Sequence, residues 1–345
     1  MGDSGPAYRA LALQVAASSV NQVGSRDEAR AIMKTTLERL RVQITASLRF
    51  IGPDCRLVVL PEYVLTGHPL GESIPVWADR AALEVDGEEE EALGAIAHDL
   101  GIHLCVNAYE LDAAFADLYF QAQLVFGPSG DVVLRYRRLN SMFAPSPHDV
   151  LDRYLEVHGA DALFPVADTE LGRLACIASE EILFPELART LALRGAEVLL
   201  HCTSEVASPA VTHKDVAKRA RAQENLCYVV SANSGGIIGS PIPANSTDGK
   251  SKILDFEGRV LVEADAGESM VANAELDLAA LRRARRRPGM GNLLARNRLD
   301  LYADGYASGP GHAANGLADG AAPDRSYFVG AQRAVIDRLA ELGLI

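Results

Sequence analysis

Three positions in this chain carry side chains that could do chemistry together. Glu62 and Ser179 each come at the end of a short apolar run, and Arg138 ends a third strand-like segment. A carboxylate can move protons, a guanidinium can stabilise developing negative charge, and a hydroxyl can attack an electrophilic carbon. Each position taken alone also fits a solvated strand end, a surface ion pair or a turn. The interpretation therefore depends on all three side chains meeting in one cleft.

Composition restricts the partners of such a cleft. The chain has 345 residues, of which 48% are hydrophobic, so a large core can form. Its net charge of −13 disfavours nucleic acid and anionic membranes as partners. No apolar run is long enough to predict a transmembrane helix. Small neutral or cationic molecules remain open as substrates.

Cysteine usage and the N-terminus indicate a cytoplasmic protein. The count of five cysteines is odd, and no CxxC or Cys/His ligand spacing occurs. Buried free thiols in a reducing compartment are the interpretation that fits this pattern. Residues 1–15 have neither the basic region nor the apolar stretch of a signal peptide.

The pattern of elements predicts an α/β sandwich. Apolar residues at helical spacing predict helices over 26–50, 88–100, 185–194 and 211–225, and apolar runs between them predict buried strands. Alternating strands and helices are typical of α/β folds. A hairpin around Glu257-Gly258 indicates that the sheets are mixed rather than wholly parallel.

Other stretches are less regular. Residues 67–79 and 140–157 are expected to form loops that shape a pocket, with short helical pieces in the second. Residues 303–324 are rich in Gly, Ala, Asp and Pro, which predicts a linker or extended arm. An amphipathic helix is predicted over 327–344.

Five segments, in this order, resemble the nitrilase (carbon–nitrogen hydrolase) superfamily. They are LVVLPEYVLTGHPL (57–70), GDVVLRYRRL (130–139), LGRLACIASEEILFPELARTLALRGAEVLL (171–200), AKRARAQENLCYVVSANSGG (217–236) and DGKSKILDFEGRVLVEADAGESMVANAELDL (248–278). The resemblance implies a four-layer α-β-β-α sandwich with two mixed sheets. It implies a nitrilase-like domain over 7–302, and we expect 303–345 to be an arm that contacts another copy in a homodimer or larger homo-oligomer.

The resemblance also implies the roles of the three positions. The family's Glu-Lys-Cys triad falls on Glu62, Arg138 and Ser179, so two of its three residues differ. The N–H of Glu180 would help hold an oxyanion. Glu181 matches an acidic position of the family, and its charge would make Glu62 a stronger base.

The loop after Arg138 is where many members carry a second Glu. Here it offers His148, Asp149 and Asp152, of which we take His148 as a pocket candidate. No metal or organic cofactor is implied, and the substrate would be a small molecule.

The serine raises the question of the nucleophile. A hydroxyl is far less ionised than a thiol and needs an aligned base, usually His or Lys. Cys176 lies three residues before Ser179 on the same strand, so it is expected to point to the opposite face. Cys202, at the end of the next strand, is an alternative nucleophile.

Three hypotheses follow for the function. The first is hydrolysis of a small amide or nitrile through a variant Glu-Arg-Ser site. The second is an inactive relative that binds a small molecule or a partner, and the third is a biosynthetic enzyme that reuses the pocket. An artificial exchange of Cys for Ser is a further explanation of Ser179.

Overall fold

Two mixed sheets of six strands each run through the centre of the protein. The computed structural model describes residues 5–116, 118–206, 208–318 and 324–345. In chain order the strands are β1 (Ala7–Ala12), β2 (Ala17–Ser18), β3 (Cys55–Val59), β4 (His103–Leu111), β5 (Tyr119–Phe126), β6 (Val132–Arg137), β7 (Ala167–Thr169), β8 (Gly172–Ala178), β9 (Val198–Cys202), β10 (Tyr228–Ala232), β11 (Ile237–Ile238), β12 (Lys252–Leu254), β13 (Val260–Glu263) and β14 (Asn273–Asp277).

The two sheets share one pattern of pairing. The first has the order β14-β1-β3-β4-β5-β6 and the second β13-β12-β10-β9-β8-β7. In each, three central strands are parallel and the outer strands are antiparallel. Strand β2 pairs with β11 outside both sheets.

Helices cover the outer faces of the sheets. In chain order they are α1 (Arg26–Ile51), α2 (Ile74–Ala81), α3 (Glu88–Leu100), α4 (Leu151–His158), α5 (Pro185–Leu193), α6 (His213–Asn225), α7 (Leu278–Arg286), α8 (Leu293–Arg296), α9 (Asp300–Ser308) and α10 (Arg325–Glu341). Helices α1 and α3 pack on the first sheet, and α5 and α6 on the second.

Alternation along the strands separates two apolar layers. On β3, Leu57 and Val59 face the second sheet, while Val58 and the following Leu60 face the helices of the first layer. Successive side chains of a strand point to opposite faces, so one continuous apolar run serves both layers. The predicted α-β-β-α sandwich with two mixed sheets is confirmed.

Helix α5 shows how the chain leaves the second sheet. It begins at Pro185, whose missing N–H costs nothing at the first helical position. It ends before Gly195, which has a φ of +100°. Glycine adopts this conformation without a steric penalty, and the predicted end of the helix at Gly195 is confirmed.

Two sequence predictions are wrong in part. Residues 67–79 are not all loop, because α2 begins at Ile74 and buries Trp77. In the sequence, the Pro of this short helix and the nearby glycines favour a loop, although its apolar residues lie at helical spacing. The predicted linker over 303–324 overlaps α9, an exposed helix without an apolar stripe to reveal it.

Some predictions fall on residues that the structure does not describe. Residues 1–4 of the N-terminal stretch and residues 319–323 of the predicted linker lie outside the described residues. Across the described part of the chain, no helix combines the length and apolarity that a membrane crossing requires. The predicted final helix is confirmed as α10, of which Phe328 is the buried residue.

Candidate active site

Ser179 lies at a sharp turn where β8 ends. Its φ is +51°, a left-handed conformation that is uncommon for any residue other than glycine. A short 3-10 turn, Ser179–Leu183, follows at once and leads into α5. Such strained positions cost about 1–3 kcal/mol and concentrate at functional sites. The turn directs Ser179 into a cavity of about 590 Å³ that Glu62 and Arg138 also line, so the three predicted positions meet.

Two buried side chains hold the turn in place. His201 Nε2 lies 2.8 Å from the main-chain oxygen of Ser179, and His201 Nδ1 lies 2.8 Å from Ser231 Oγ. Because a carbonyl oxygen only accepts, Nε2 carries the proton and Nδ1 accepts from the Ser231 hydroxyl. Arg221 donates from Nε and Nη2 to the carbonyl oxygens of Ile182 and Leu183, at 3.0 and 2.8 Å.

The burial of His201 makes stability depend on pH. Loss of hydration, reinforced by the charge of Lys218, lowers the pKa of His201 from 6.5 to about 3. The unfolded chain then binds this proton more readily than the folded one between those pH values, so stability falls as pH decreases. We expect a loss of about 2 kcal/mol in the free energy of unfolding between pH 7 and pH 5 from this residue.

Chemical denaturation of wild type and His201→Gln at several pH values measures this contribution. The dependence that wild type shows between pH 7 and pH 5 should shrink by about the same 2 kcal/mol in the variant. His98→Gln is the matched control, because His98 is an exposed histidine on α3. Equal slopes in wild type and His201→Gln would contradict the assignment.

Glu62 and Arg138 are joined by Gln121. The carboxylate of Glu62 accepts from Gln121 Nε2 at 2.6 Å and lies 3.7 Å from Arg138 Nη1. Gln121 Oε1 in turn accepts from Arg138 Nη1 at 2.7 Å. All three side chains are buried. Gln121 therefore fixes the carboxylate and the guanidinium relative to each other on one wall of the cavity.

The guanidinium of Arg138 has a partner at each nitrogen. Besides Gln121, it donates from Nε to Asn140 O at 2.9 Å and from Nη2 to the carboxylate of Glu180. Burial opposes the charge of this group, but the surrounding negative groups, Glu180 and Glu62 among them, raise the pKa of Arg138 above its ordinary value. Arg138 is therefore a fixed cation rather than a group that exchanges protons.

Glu181 is fully buried and organises the chain on both sides of the site. Its Oε1 accepts from the N–H groups of Leu139 and Asn140, at 2.9 and 2.8 Å, and its Oε2 from the Tyr136 hydroxyl at 2.7 Å. Burial raises the pKa of Glu181, although these bonds and Arg138 oppose the rise. The carboxylate ties the turn after β8 to the segment after β6.

The remaining predicted residues lie in different places. Glu180 lines the cavity that contains Ser179. Its main-chain N–H lies in the first part of the 3-10 turn, where N–H groups have no acceptor within the turn itself. His148 lines a neighbouring cavity of about 920 Å³. Glu180 borders both cavities. The structure thus brings Glu180 and Glu181 to the site and leaves His148 beside it.

The cysteines considered as alternative nucleophiles are in the core. Cys176 and Cys202 are fully buried between the two sheets, where Cys202 Sγ lies 3.7 Å from Cys105 Sγ. Burial raises the pKa of both thiols, Cys176 and Cys202. Neither contributes to the cavity that contains Ser179.

Sequence reasoning missed Lys214. Its Nζ lies 3.3 Å from Ser179 Oγ and 3.3 Å from Thr203 Oγ1. Lys214 belongs to the first turn of α6, and Arg221 lies two turns further along the same helix. The spacing of these basic residues places them on one face. This basic helix face could have indicated a functional site from the sequence. The spacing alone does not show that the face contacts the turn after β8.

The far wall of the cavity comes partly from the end of the chain. Asp324, Arg325 and Ser326, at the start of α10, line the cavity together with aromatic residues. Arg325 stacks on the ring of Phe143 at 3.8 Å. Among the described residues, no group of three or more His, Cys, Asp or Glu is arranged to hold a metal ion.

Comparison with known proteins identifies the family. The family model described as carbon-nitrogen hydrolase matches residues 9–286. A nitrilase of Pyrococcus abyssi is 30% identical over 230 residues, covering 67% of this chain and 80% of that protein. A formamidase of Bacillus thuringiensis is 26% identical over 75% of this chain and 72% of its own length.

A Pseudomonas protegens protein named for its position, a hydrolase in the pqqF 5′ region, is 33% identical over 53% of this chain and 60% of its own length. The fold is similar to that of a carbon-nitrogen hydrolase from Helicobacter pylori, with a TM-score of 0.66, 23% identity and coverage of 86% of this chain and 97% of that one. The match of the family model over most of the chain shows that the protein belongs to the carbon–nitrogen hydrolase family.

Proposed function

We propose that this protein hydrolyses a carbon–nitrogen bond other than a peptide bond, in a small amide or nitrile, through Glu62, Arg138 and Ser179. The observation that supports this most directly is the strained turn at Ser179. It directs a hydroxyl into the cavity that also contains a buried carboxylate and a buried guanidinium. A nucleophile, a proton-transfer group and a fixed cation are the parts that acyl transfer requires.

The geometry supports a two-step reaction for an amide. Ser179 Oγ bonds to the carbonyl carbon, and the charge that develops on oxygen faces the Glu180 N–H and the Arg138 guanidinium. The carbon–nitrogen bond then breaks, and the leaving nitrogen takes a proton. Water attacks the acyl-serine and releases the acid. Glu62 is positioned to exchange protons with the leaving nitrogen and with this water.

The cavity supports a small-molecule substrate. Its volume of about 590 Å³ falls within the range typical of ligand pockets. Tyr63 and Tyr109 line it and stack on each other, with ring centroids 5.3 Å apart. Similarity to proteins named nitrilase and formamidase also favours small amides and nitriles.

A panel of short amides and nitriles, with ammonia release as the measurement, tests this proposal. We expect purified protein to release ammonia from at least one member of the panel at neutral to alkaline pH. Protein carrying Glu62→Gln should be strongly impaired on the same compound, because its side chain no longer exchanges protons. The absence of release from every compound, with folded protein and a working reference amidase, would contradict the proposal.

An inactive binding protein is the second candidate. The observation in its favour is that each nitrogen of Arg138 already has a protein partner, as in a structural ion pair. In that case the same panel should raise the melting temperature through binding to the native state without releasing ammonia. Thermal shift and ammonia release, measured on the same compounds, separate the two candidates.

The proposal also covers the domain bounds, the oligomeric state and the location of the protein. We retain 7–302 as the hydrolase domain and 303–345 as an arm that contacts a second copy in a cytoplasmic homodimer or larger assembly. Exposed apolar side chains on α10, Val329 and Ile336, support such a contact. The same helix begins at the cavity wall, so an assembly through α10 would act close to the site.

A further inference from the structure

The hydroxyl of Ser179 has one side-chain partner among the described residues, the amino group of Lys214. The distance of 3.3 Å between Nζ and Oγ lies just beyond the ordinary hydrogen-bond range. Catalytic hydrogen bonds of this length are common without substrate and shorten when it binds. The half-buried Lys214 lines the same cavity as Ser179, so a substrate would meet both groups together.

The other candidate bases near Ser179 are occupied or unsuitable. His201 presents Nε2–H to the main-chain oxygen of Ser179 rather than to its hydroxyl. Arg138 remains protonated under all ordinary conditions. Glu62 is held by Gln121, and no hydrogen bond joins it to Ser179 within the described residues. Among the described residues, the amino group of Lys214 is left as the base that contacts the reacting oxygen.

The surroundings of Lys214 favour this use. In the described part of the chain, no carboxylate forms an ion pair with Lys214, whereas Lys218, one turn along α6, is paired with Glu205. The charged and titratable groups near Lys214 are Lys218 on the same helix and, from neighbouring elements, Glu205 and His201, while Glu180 and Arg138 line the same cavity.

We propose that Lys214 is the general base that activates Ser179. This inference rests on the proposed function, in which Ser179 is the nucleophile. Neutral Nζ takes the hydroxyl proton as Oγ bonds to the carbonyl carbon, and this proton passes through Glu62 to the leaving nitrogen as the carbon–nitrogen bond breaks. In the second step Glu62 takes a proton from the attacking water and passes it to Nζ, and the ammonium gives it to Ser179 Oγ as the acyl–oxygen bond breaks.

A serine-directed fluorophosphonate tests the inference without knowledge of the substrate. Ser179 Oγ bonds to phosphorus, fluoride leaves, and the hydroxyl proton passes to the base, so the reaction depends on activation of Ser179 alone. Intact-mass spectrometry measures the rate of labelling, and peptide mapping locates the label. We expect Lys214→Met and Lys214→Arg to slow labelling by about 100-fold or more. The rate for wild type should rise with pH, and the variants should lose this rise.

Lys214→Met and Lys214→Arg together distinguish a role of Lys214 as a proton acceptor from a role of its positive charge. Arginine keeps the positive charge but does not accept a proton, so labelling of Lys214→Arg within about threefold of wild type would overturn the inference. Lys34→Met and Lys34→Arg are the matched controls, because Lys34 is exposed on α1. Thermal melts confirm that each variant is folded. As a second measurement, added methylamine should partly restore labelling of Lys214→Ala, because it supplies the missing base.

The outcomes also separate this inference from the proposed function. No labelling of wild-type Ser179, in a probe batch that labels a reference serine hydrolase, would overturn the role of Lys214. Labelling that depends on Lys214, in a protein that hydrolyses no amide or nitrile of the panel, would support the base and contradict the proposed function. Hydrolysis that survives Lys214→Arg would contradict the base alone.

Discussion

Replacement of Ser179 by alanine should lower kcat for amide hydrolysis by about 10³-fold or more, with little change in stability. Loss of the proposed nucleophile would remove the covalent step, and what remains would be binding and polarisation of the substrate by the surrounding groups. Alanine has the same steric restriction as serine at a φ of +51°. The folded state loses little beyond the weak contact with Lys214. Steady-state kinetics and a thermal melt measure the two effects.

Ser129→Ala is the control for this change. Ser129 is an exposed serine in the turn between β5 and β6, whereas Arg138 comes at the opposite end of β6. Its replacement should leave kcat unchanged. Activity of Ser179→Ala within about tenfold of wild type would show that another residue is the nucleophile.

Ser179→Cys, with and without Arg138→Lys, shows whether the site is catalytically active as it stands or inactive because of these two residues. If Ser179 is a working nucleophile, the protein with Ser179 and Arg138 hydrolyses substrate and the double change is unnecessary. Hydrolysis that appears only when both changes are present would instead favour the inactive binding protein. Arginine and lysine are not equivalent here, because Arg138 binds Gln121 and Glu180 through separate nitrogens and a lysine has a single one.

Much of the fold was predictable because its signals are local. The continuous apolar run of β3 and the helical spacing of α1 each indicate one element, and burial in the structure follows the same periodicity. Helix α2 was missed because Pro75 and the glycines around it favour a turn in a sequence window, whereas its Trp77 is held by tertiary packing. Propensity is a weak guide where packing decides.

The site was predictable to the extent that it lies at strand ends. Glu62 and Arg138 follow β3 and β6, which run in the same direction in the first sheet, so both lie at one edge of that sheet, and Ser179 follows β8 of the second sheet. Lys214 could not be placed in this way, because it reaches Ser179 from a helix on the outer layer. The role that we propose for Lys214 depends on the angle of α6 against the turn after β8. Arg221 fixes that angle through two carbonyl groups of the turn, a contact that sequence spacing does not reveal.

The second large effect is expected at Glu181, whose carboxylate was predicted only to add charge to the site. Glu181→Ala removes the acceptor of three donors, the buried Tyr136 hydroxyl and the N–H groups of the half-buried Leu139 and Asn140. Each unsatisfied buried donor costs about 1–3 kcal/mol, and relief of the buried charge offsets part of the sum. We expect the free energy of unfolding to fall by about 3 kcal/mol or more. The fluorescence of Trp77, the single tryptophan and fully buried, reports unfolding in denaturant.

The activity of two variants distinguishes this positioning role from general destabilisation. Glu181→Gln keeps an oxygen for the two N–H groups, and its amide can donate to the Tyr136 hydroxyl, so it should recover most of the stability and activity. Glu181→Ala should lower kcat more than it changes KM, since the segment it releases carries Arg138. Glu186→Ala is the matched control, an exposed carboxylate on α5 that should change stability by less than about 0.5 kcal/mol. Equal stability of Glu181→Ala and Glu186→Ala would show that the buried carboxylate does not hold the two segments together.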